Sequence, residues 1–248
     1  MEQLSLKDVE KFVSTEIVTF HKNKLEILKR KKLQKLLRDK NPYLFKAKNI
    51  LIASDLVTNI MDAYLYASEE KLFGDFLEEL AIFVAGKTYG GRKSSATGID
   101  LEFEKCGRHY LVSVKSGPNW GNSSQQKKQQ TDFQKAVGVL KQSRSEAMVE
   151  PVLGICYGKS KTKHLRGYTK VMGQLFWNLL GGNPNLYTDI IEPLGHDAKK
   201  HNEEFLKQKA VIINTFTAEF LKEFCGSGQI CWDKLVKFNS GNMTDDAS

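Results

Sequence analysis

The chain lacks the sequence features that identify zinc-binding, secreted and membrane-spanning proteins. Its four cysteines form no CxxC pair and show no zinc-type spacing with the five histidines, so we interpret them as reduced thiols. The sequence has no run of about 18 apolar residues, which a bilayer-spanning helix needs. Its N-terminus lacks the apolar core of a signal peptide. We therefore expect a soluble cytoplasmic protein with no membrane segment.

A nucleotide-binding P-loop, internal repeats and low-complexity segments are also missing. The loop from Tyr89 to Ser95 contains small residues and two positive charges. It lacks the Gly-Lys-Ser/Thr arrangement that holds phosphates in a P-loop, so we interpret it as a connecting loop. The length of 248 residues indicates one large domain, or a domain with an additional segment.

Positive charge is concentrated in the first fifth of the chain. The formal net charge is +8, and residues 1–50 contain 13 Lys or Arg against 6 Asp or Glu. Neutralisation of phosphates by such a segment releases counterions, which favours binding at moderate salt. The segment therefore predicts an anionic partner such as nucleic acid, and a solvated helix face is the alternative.

Hydrophobic periodicity and capping residues predict a chain that alternates between helices and strands. The predicted helices cover 5–38, 54–66, a segment from Ser68, a segment from Ser123 or Ser124, 173–180 and 197–224. The predicted strands cover 98–103, 110–115, 151–157 and 165–172. This order predicts an α/β protein with a mixed central sheet whose faces are covered by helices.

The first two predicted strands form a hairpin that brings acids and a lysine together. Because side chains alternate along a strand, Asp100 and Glu102 share one face, and Ser113 and Lys115 share one face of the next strand. A two-residue type II′ turn that begins at Gly107 places Asp100 directly opposite Lys115. Glu102 then lies opposite Ser113.

An acid beside a lysine matches the needs of phosphodiester hydrolysis. That reaction uses a metal ion to stabilise charge on the phosphate, and Mg²⁺ prefers hard oxygen ligands such as carboxylates. A lysine ammonium beside the scissile phosphate can stabilise developing charge or position the attacking water. The hairpin therefore predicts a metal-dependent nuclease in which Asp100 binds Mg²⁺ and Lys115 acts at the phosphate.

Asp100 followed after the hairpin by Ser113-Val114-Lys115 resembles the PD-(D/E)XK nuclease superfamily. The resemblance implies that Asp100 is a metal ligand, that Lys115 is catalytic, and that the carbonyl of Val114 is a further ligand. Ser113 stands where the superfamily has its second acid.

Two glutamates are candidates for that missing acid. Glu79 lies on the helix before Asp100, and some members of the superfamily use a glutamate from that helix as a metal ligand. Glu102 is the alternative, because it shares the strand face of Asp100. We prefer Glu79 and expect its neighbour Glu78 to be solvated, although a helix rotation of one position would exchange the two.

A wider set of landmarks resembles type II restriction endonucleases, particularly those that cut interrupted GG-N-CC type sites. The landmarks are Phe73-Gly74, Glu78-Glu79, the segment 113–117, Gly154 to Ser160, Leu165-Arg166-Gly167 and Phe176-Trp177. The resemblance implies Mg²⁺-dependent cleavage of double-stranded DNA at a short palindromic or degenerate site. It also implies a homodimer, with one active centre for each strand.

The loop after the hairpin contains residue types that contact DNA. Asn and Gln can pair with adenine, and lysine can contact guanine or phosphate. Formation of a turn is the alternative role for Asn119, Trp120 and Asn122. The candidate DNA-binding residues are Ser116, Asn119, Trp120, Asn122, Gln125, Gln126 and Lys127.

We expect three regions: a basic helical region at 1–66 that clasps DNA or forms a dimer arm, a catalytic core at 67–195, and a C-terminal helical region at 196–248 packed on that core. The resemblance implies a restriction-endonuclease-like sheet for the core. Two other functions stay open. One is a repair or recombination nuclease of the same superfamily, and the other is a non-catalytic DNA-binding protein with a decayed nuclease core.

Overall fold

The structure is a computed structural model that describes residues 4–242. The helices are α1 Leu6–Lys29, α2 Leu33–Asp39, α3 Pro42–Ala47, α4 Ala53–Tyr89, α5 Ser123–Ser143, α6 Gln174–Gly181, α7 Leu186–Asp189, α8 Ile191–Leu194, α9 Ala198–Phe224 and α10 Trp232–Ser240. The strands are β1 Arg92–Lys93, β2 Leu101–Lys105, β3 Arg108–Lys115, β4 Met148–Ile155, β5 Lys163–Leu165, β6 Tyr168–Met172, β7 Cys225–Gly226 and β8 Gln229–Ile230. Among residues 4–242, no helix is both long enough and apolar enough to cross a bilayer.

A six-stranded mixed sheet organises the middle of the chain. Its strand order is β1-β2-β3-β4-β6-β5, in which β3, β4 and β6 are parallel and the remaining neighbours are antiparallel. Strands β7 and β8 form a separate antiparallel pair. The predicted α/β class with a mixed central sheet and flanking helices is confirmed.

The described residues divide into two compact units. The first contains residues 4–18 and 73–196 and includes the six-stranded sheet, and the second contains residues 19–72 and 197–242. The predicted boundary between residues 66 and 67 lies inside α4, which runs without a break from Ala53 to Tyr89.

Two hydrophobic clusters cover the two faces of the six-stranded sheet. Along β3, Val112 and Val114 pack into a cluster with residues of α1, α4 and α6. Leu111 packs into a second cluster that contains Phe133 of α5. Ser113 alternates with Val112 and Val114 and lies on the α5 side. The strand thus ends between two packed layers that fix its direction.

Gly154 of the sheet lies too close to a neighbouring aromatic ring to carry a side chain. A Cβ atom built on Gly154 of β4 would lie 2.1 Å from Cε2 of Phe176. That ring belongs to α6 and is fully buried. A side chain at position 154 would therefore separate α6 from the sheet.

Two predicted helix boundaries are wrong. The helix predicted over 5–38 is interrupted after Lys29, where four consecutive cations occur, and resumes at Leu33. The two helices predicted on either side of Ala67 are one helix, α4. Ser68 does not cap it, because the Ser68 hydroxyl donates to the carbonyl of Tyr64 in the preceding turn at 3.0 Å.

The hairpin turn also differs from the prediction. Lys105 pairs with Arg108, so the two turn residues are Cys106 and Gly107, with φ of 49° and 73°. Positive φ at both positions is typical of a type I′ turn. The register moves by two residues, so Glu102 pairs with Leu111 and not with Ser113. A shift of two preserves the face of every side chain.

Candidate active site

The end of β3 and the start of β2 bring Asp100 and Lys115 together. Asp100 extends the β2 ladder by one residue, because its amide donates to the carbonyl of Val112 at 2.9 Å. The new register removes it from the position opposite Lys115, and that predicted pairing is wrong. The longer lysine side chain still reaches across, and Lys115 Nζ lies 3.3 Å from Asp100 Oδ2.

Three groups of one strand end converge on a single oxygen of Asp100. Oδ2 accepts from the amide of Val114 at 2.5 Å, from the hydroxyl of Ser113 at 3.2 Å and from the ammonium of Lys115. Within residues 4–242, every hydrogen bond to this carboxylate ends on Oδ2. The other oxygen, Oδ1, is therefore available to a ligand.

Lys115 has a second acceptor beside Asp100. Its ammonium donates to the carbonyl of Val114 at 2.8 Å and lies 5.6 Å from the ring centroid of Trp120, within the range of a cation–π contact. The side chain of Lys115 is 24 % exposed, and that of Asp100 is 19 % exposed. The pair is held by protein contacts and still reachable from solvent.

Glu78 of α4 interacts electrostatically with Asp100 and Lys115, and we call these three residues the electrostatic cluster. Burial raises the pKa of Glu78 above its ordinary value, and the negative charge of Asp100 raises it further. The ammonium groups of Lys93 and Lys115 act in the opposite direction. Glu78 therefore lies close enough to Asp100 and Lys115 to interact with their charges, and at 28 % exposed it is half-buried and not the solvated residue that the sequence predicted.

Glu79 interacts with Lys93 of β1. Its Oε1 accepts from Lys93 Nζ at 3.2 Å, and its side chain is 55 % exposed. This hydrogen bond is the largest cause that raises the pKa of Lys93, whose ammonium also lies 3.5 Å from Glu78 Oε1. The metal-binding role of Glu79 stays a prediction.

Glu102, the alternative second acid, contacts Arg92 and His109 at the sheet edge. Its Oε1 accepts from Nε of Arg92 at 2.8 Å, across the β1–β2 pair. Its Oε2 lies 3.5 Å from Nε2 of His109. These contacts connect Glu102 to the edge strand and not to Asp100.

A buried polar pair lies behind Asp100 and was missed by the sequence analysis. Ser113 is fully buried, and its hydroxyl also lies within hydrogen-bond distance of Oε1 of Gln129 on α5, at 3.0 Å. A usable signal was present, because Gln129 and Asp132 continue the helical spacing of the apolar residues Phe133 and Ala136. Polar residues on a buried stripe indicate specific hydrogen bonding.

Several predicted DNA-contacting side chains form the start of α5. Asn122 caps the helix, and its side chain accepts from the amide of Gln125 while the Gln125 side chain accepts from the amide of Asn122. The Gln126 amide group donates to the carbonyl of Gly121 at 2.9 Å. A Ser123 or Ser124 cap is therefore wrong, since the capping box uses Asn122 and Gln125.

The remaining predicted DNA-contacting residues differ in exposure. Asn119 and Lys127 are exposed, and Trp120 is half-buried beside Lys115. Ser116 is half-buried, and its carbonyl accepts from the amide of Tyr157 at 3.2 Å. DNA binding by these residues stays a prediction.

The thiol of Cys156, which lies near the electrostatic cluster, is protonated at neutral pH. Cys156 is buried next to the strand that ends at Lys115, and burial raises the pKa of its thiol to about 12. A protonated thiol is a poor nucleophile. Cys156 therefore offers no thiolate to the candidate site.

The groups of the candidate site that could bind a metal ion offer oxygen atoms. Among residues 4–242, no group of three or more His, Cys, Asp or Glu side chains is arranged to hold a metal ion. The available donors are the carboxylates of Asp100 and Glu78 and the carbonyl of Val114. Such a set fits Mg²⁺, which commonly uses one or two carboxylates and keeps several waters.

Comparison with known proteins adds one family. A family model described as type II restriction endonuclease EcoO109I matches residues 7–202. The matched range contains the whole six-stranded sheet and the residues of the electrostatic cluster. In a comparison with curated proteins, no sequence matches significantly.

Proposed function

The chain belongs to the type II restriction endonuclease EcoO109I family, and from this membership we propose that it hydrolyses double-stranded DNA with Mg²⁺ at a short palindromic or degenerate site. The observation that carries the proposal is the contact between Lys115 and Asp100 at the end of β3, with the half-buried Glu78 near enough to interact with both charges. Family membership supports the reaction class, and this cluster supports the proposed location of the active site.

Asp100 and Glu78 are the proposed carboxylate ligands of Mg²⁺, with the Val114 carbonyl as a third oxygen donor. We prefer Glu78 to Glu79 because Glu78 interacts electrostatically with Asp100 and Lys115. Glu79 is the alternative ligand. Bound Mg²⁺ supplies charge that stabilises phosphate oxygens and makes water more acidic.

Lys115 is the proposed group at the scissile phosphate. A lysine ammonium has three protons to donate, and two of the acceptors are Asp100 Oδ2 and the Val114 carbonyl. The third proton can be directed at a phosphate oxygen or at the attacking water. Because Asp100 and Trp120 hold the ammonium in position, it needs little reorganisation to act there.

The basic segment 29–48 is the proposed clasp for the DNA backbone. It contains nine Lys or Arg and one acid, Asp39. Some of these cations rest on aromatic rings, with Lys31 Nζ 4.2 Å from the centroid of Tyr64 and Lys46 Nζ 5.3 Å from that of Trp232. Aromatic contacts restrict these side chains, which favours their use against phosphates.

Two copies of the chain are proposed to act together in the cytoplasm. A homodimer supplies one active centre to each strand of a palindromic site. Asn119 and Lys127, which are exposed, and Trp120 beside Lys115 remain the proposed contacts of the hairpin loop with DNA. Ser116, Asn122, Gln125 and Gln126 are proposed to support this loop or contact DNA through their remaining polar atoms.

Digestion of plasmid DNA tests the proposal. We expect purified protein and Mg²⁺ to convert unmethylated plasmid into discrete bands, and EDTA or Asp100→Ala to prevent this. A smear, or nicking that depends on DNA structure, indicates a repair or recombination nuclease. Intact plasmid with retained DNA binding indicates a decayed nuclease core.

A further inference from the structure

A buried hydrogen-bonded chain connects α5 to the carboxylate of Asp100. Gln129 is 5 % exposed and Ser113 is fully buried. Ser113 Oγ lies 3.0 Å from Gln129 Oε1 and 3.2 Å from Asp100 Oδ2. A hydroxyl has one proton, so Ser113 donates to one of these two acceptors at a time. Gln129 and Asp100 therefore share the Ser113 hydroxyl, which lies between their oxygen atoms.

The other end of Gln129 contacts the segment that leads into Asp100. Its Nε2 donates to the carbonyl of Gly98 at 3.0 Å. Gly98 has a φ of 77°, and a Cβ there would lie 2.5 Å from Oδ2 of Asp132 on the same helix. Two side chains of α5 therefore fix the position of Gly98, two residues before Asp100.

The surroundings show that the amide group of Gln129 has a specific role. The pair lies beside a cluster that contains Ile99, Leu111 and Phe133. A buried amide in such surroundings is unfavourable unless its donors and acceptors are paired. A leucine of similar size would fill the space, so the hydrogen bonds distinguish glutamine from an apolar residue.

We propose that Gln129 is a positioning residue for the Asp100 carboxylate in metal binding, because its Nε2 holds the Gly98 carbonyl two residues before Asp100 and its Oε1 holds the Ser113 side chain beside Asp100 Oδ2. The inference rests on the proposed function, because it assigns Asp100 to a metal ion. It explains why Ser113 occupies the position of an acid. The Ser113–Gln129 pair supports Asp100 without adding a negative charge beside Glu78.

Metal titration of two variants tests this inference. The probe is Mn²⁺, which accepts the same oxygen ligands as Mg²⁺, measured by the electron paramagnetic resonance of the free ion without DNA. We expect Gln129→Leu to weaken Mn²⁺ binding by about 10- to 100-fold, as loss of a group that orients a ligand does. Gln142→Ala is the matched control, because Gln142 is exposed on the same helix.

The second variant separates orientation from packing. Gln129→Glu keeps an acceptor for Ser113 and, because burial favours the protonated carboxyl, also a donor for the Gly98 carbonyl, so we expect it to bind Mn²⁺ nearly as tightly as the wild type. A merely structural role would weaken both variants. Thermal unfolding of each protein shows whether it is folded during the titration.

A third measurement uses coupling between Gln129 and Ser113. Because both act through one chain, Ser113→Ala combined with Gln129→Leu should weaken Mn²⁺ binding no more than Gln129→Leu alone. Additive losses, or a Gln129→Leu variant that binds Mn²⁺ as Gln142→Ala does, would overturn the inference. Failure of the proposed function looks different, since the wild type then binds Mn²⁺ and the variants differ as expected, but no DNA is cut. A wild type that binds no Mn²⁺ contradicts both.

Discussion

The Nζ atom of Lys115 lies 3.3 Å from Oδ2 of Asp100, although the two residues are not cross-strand partners. The strand register places Asp100 next to Ser113, and the lysine side chain spans the remaining two positions. Asp100 thereby fixes the direction of an ammonium that the proposed mechanism uses against phosphate. We therefore expect the proposed cleavage to need both residues.

Replacement of Lys115 by Ala should abolish most DNA cleavage while DNA binding persists. Removal of one donor that stabilises transition-state charge typically lowers the rate by about 100- to 1,000-fold. Initial rates of plasmid cleavage and gel-shift binding in Ca²⁺ measure the two properties. Lys141→Ala is the control, because Lys141 is an exposed residue of α5. Cleavage by Lys115→Ala at the wild-type rate would contradict the assignment.

Separate replacement of three glutamates should identify the second acid. We expect Glu78→Gln to lose at least about tenfold in cleavage rate and in Mn²⁺ affinity, the lower bound for groups that tune a metal site. Glu79→Gln and Glu102→Gln should retain most of both, because these residues pair with Lys93 and Arg92. The opposite order of Glu78 and Glu79 would restore Glu79 as the ligand.

Glu78→Gln should also stabilise the metal-free protein at neutral pH. Burial and the charge of Asp100 raise the pKa of Glu78 above its ordinary value of 4.5, so the folded state binds its proton more tightly than the unfolded state. The wild type therefore loses stability as pH rises from below 4.5 through the raised pKa. The variant lacks this loss.

Urea unfolding of both proteins at several pH values measures this difference. The stability gain of Glu78→Gln should be absent in acid, grow as Glu78 ionises, and then stay constant. Glu79→Gln is the neighbouring control. A gain for Glu78→Gln that is equally large below pH 4.5 would show that ionisation is not its cause.

Removal of cations from the basic segment should reduce the salt dependence of DNA binding. Lys29 and Lys32 are exposed, and each lost phosphate contact lowers the slope of log K against log salt by about 0.9. Fluorescence anisotropy at several salt concentrations measures this slope for Lys29→Ala/Lys32→Ala. Lys207→Ala/Lys222→Ala removes the same charge from exposed positions of α9. Equal slopes for the two double variants would exclude 29–48 as the DNA clasp.

The proximity of Asp100 and Lys115 was predictable from the sequence, because it depends only on the alternation of side chains along each strand. Asp100 and Lys115 meet even though the turn was assigned to the wrong residues, because a register shift of two does not change the face of a side chain. The turn itself was not predictable, since Cys106 adopts a positive φ that residues other than Gly, Asn and Asp rarely adopt.

The different surroundings of Glu78 and Glu79 were not predictable from the sequence. Adjacent helix residues differ by about 100° in direction, and the buried residues of α4 in this unit, Phe76, Leu77, Leu80, Ala81 and Val84, cover a wide arc. Such an arc does not fix the helix rotation to one residue. Gln129 was missed for a different reason, because its partners Ser113 and Gly98 come from distant parts of the sequence.

Three hydrogen-bond donors contact one oxygen of Asp100. An inactive variant at this position keeps the strand ends in place only if it preserves an acceptor for these donors. In Asp100→Asn, the amide oxygen can take the place of Oδ2 and satisfy the same donors, which turns the NH₂ group toward the position of Oδ1. An NH₂ group has no lone pair for a cation. Asp100→Asn is therefore a better reagent than Asp100→Ala for trapping intact substrate in a crystal, because it silences the enzyme without loosening the strand ends.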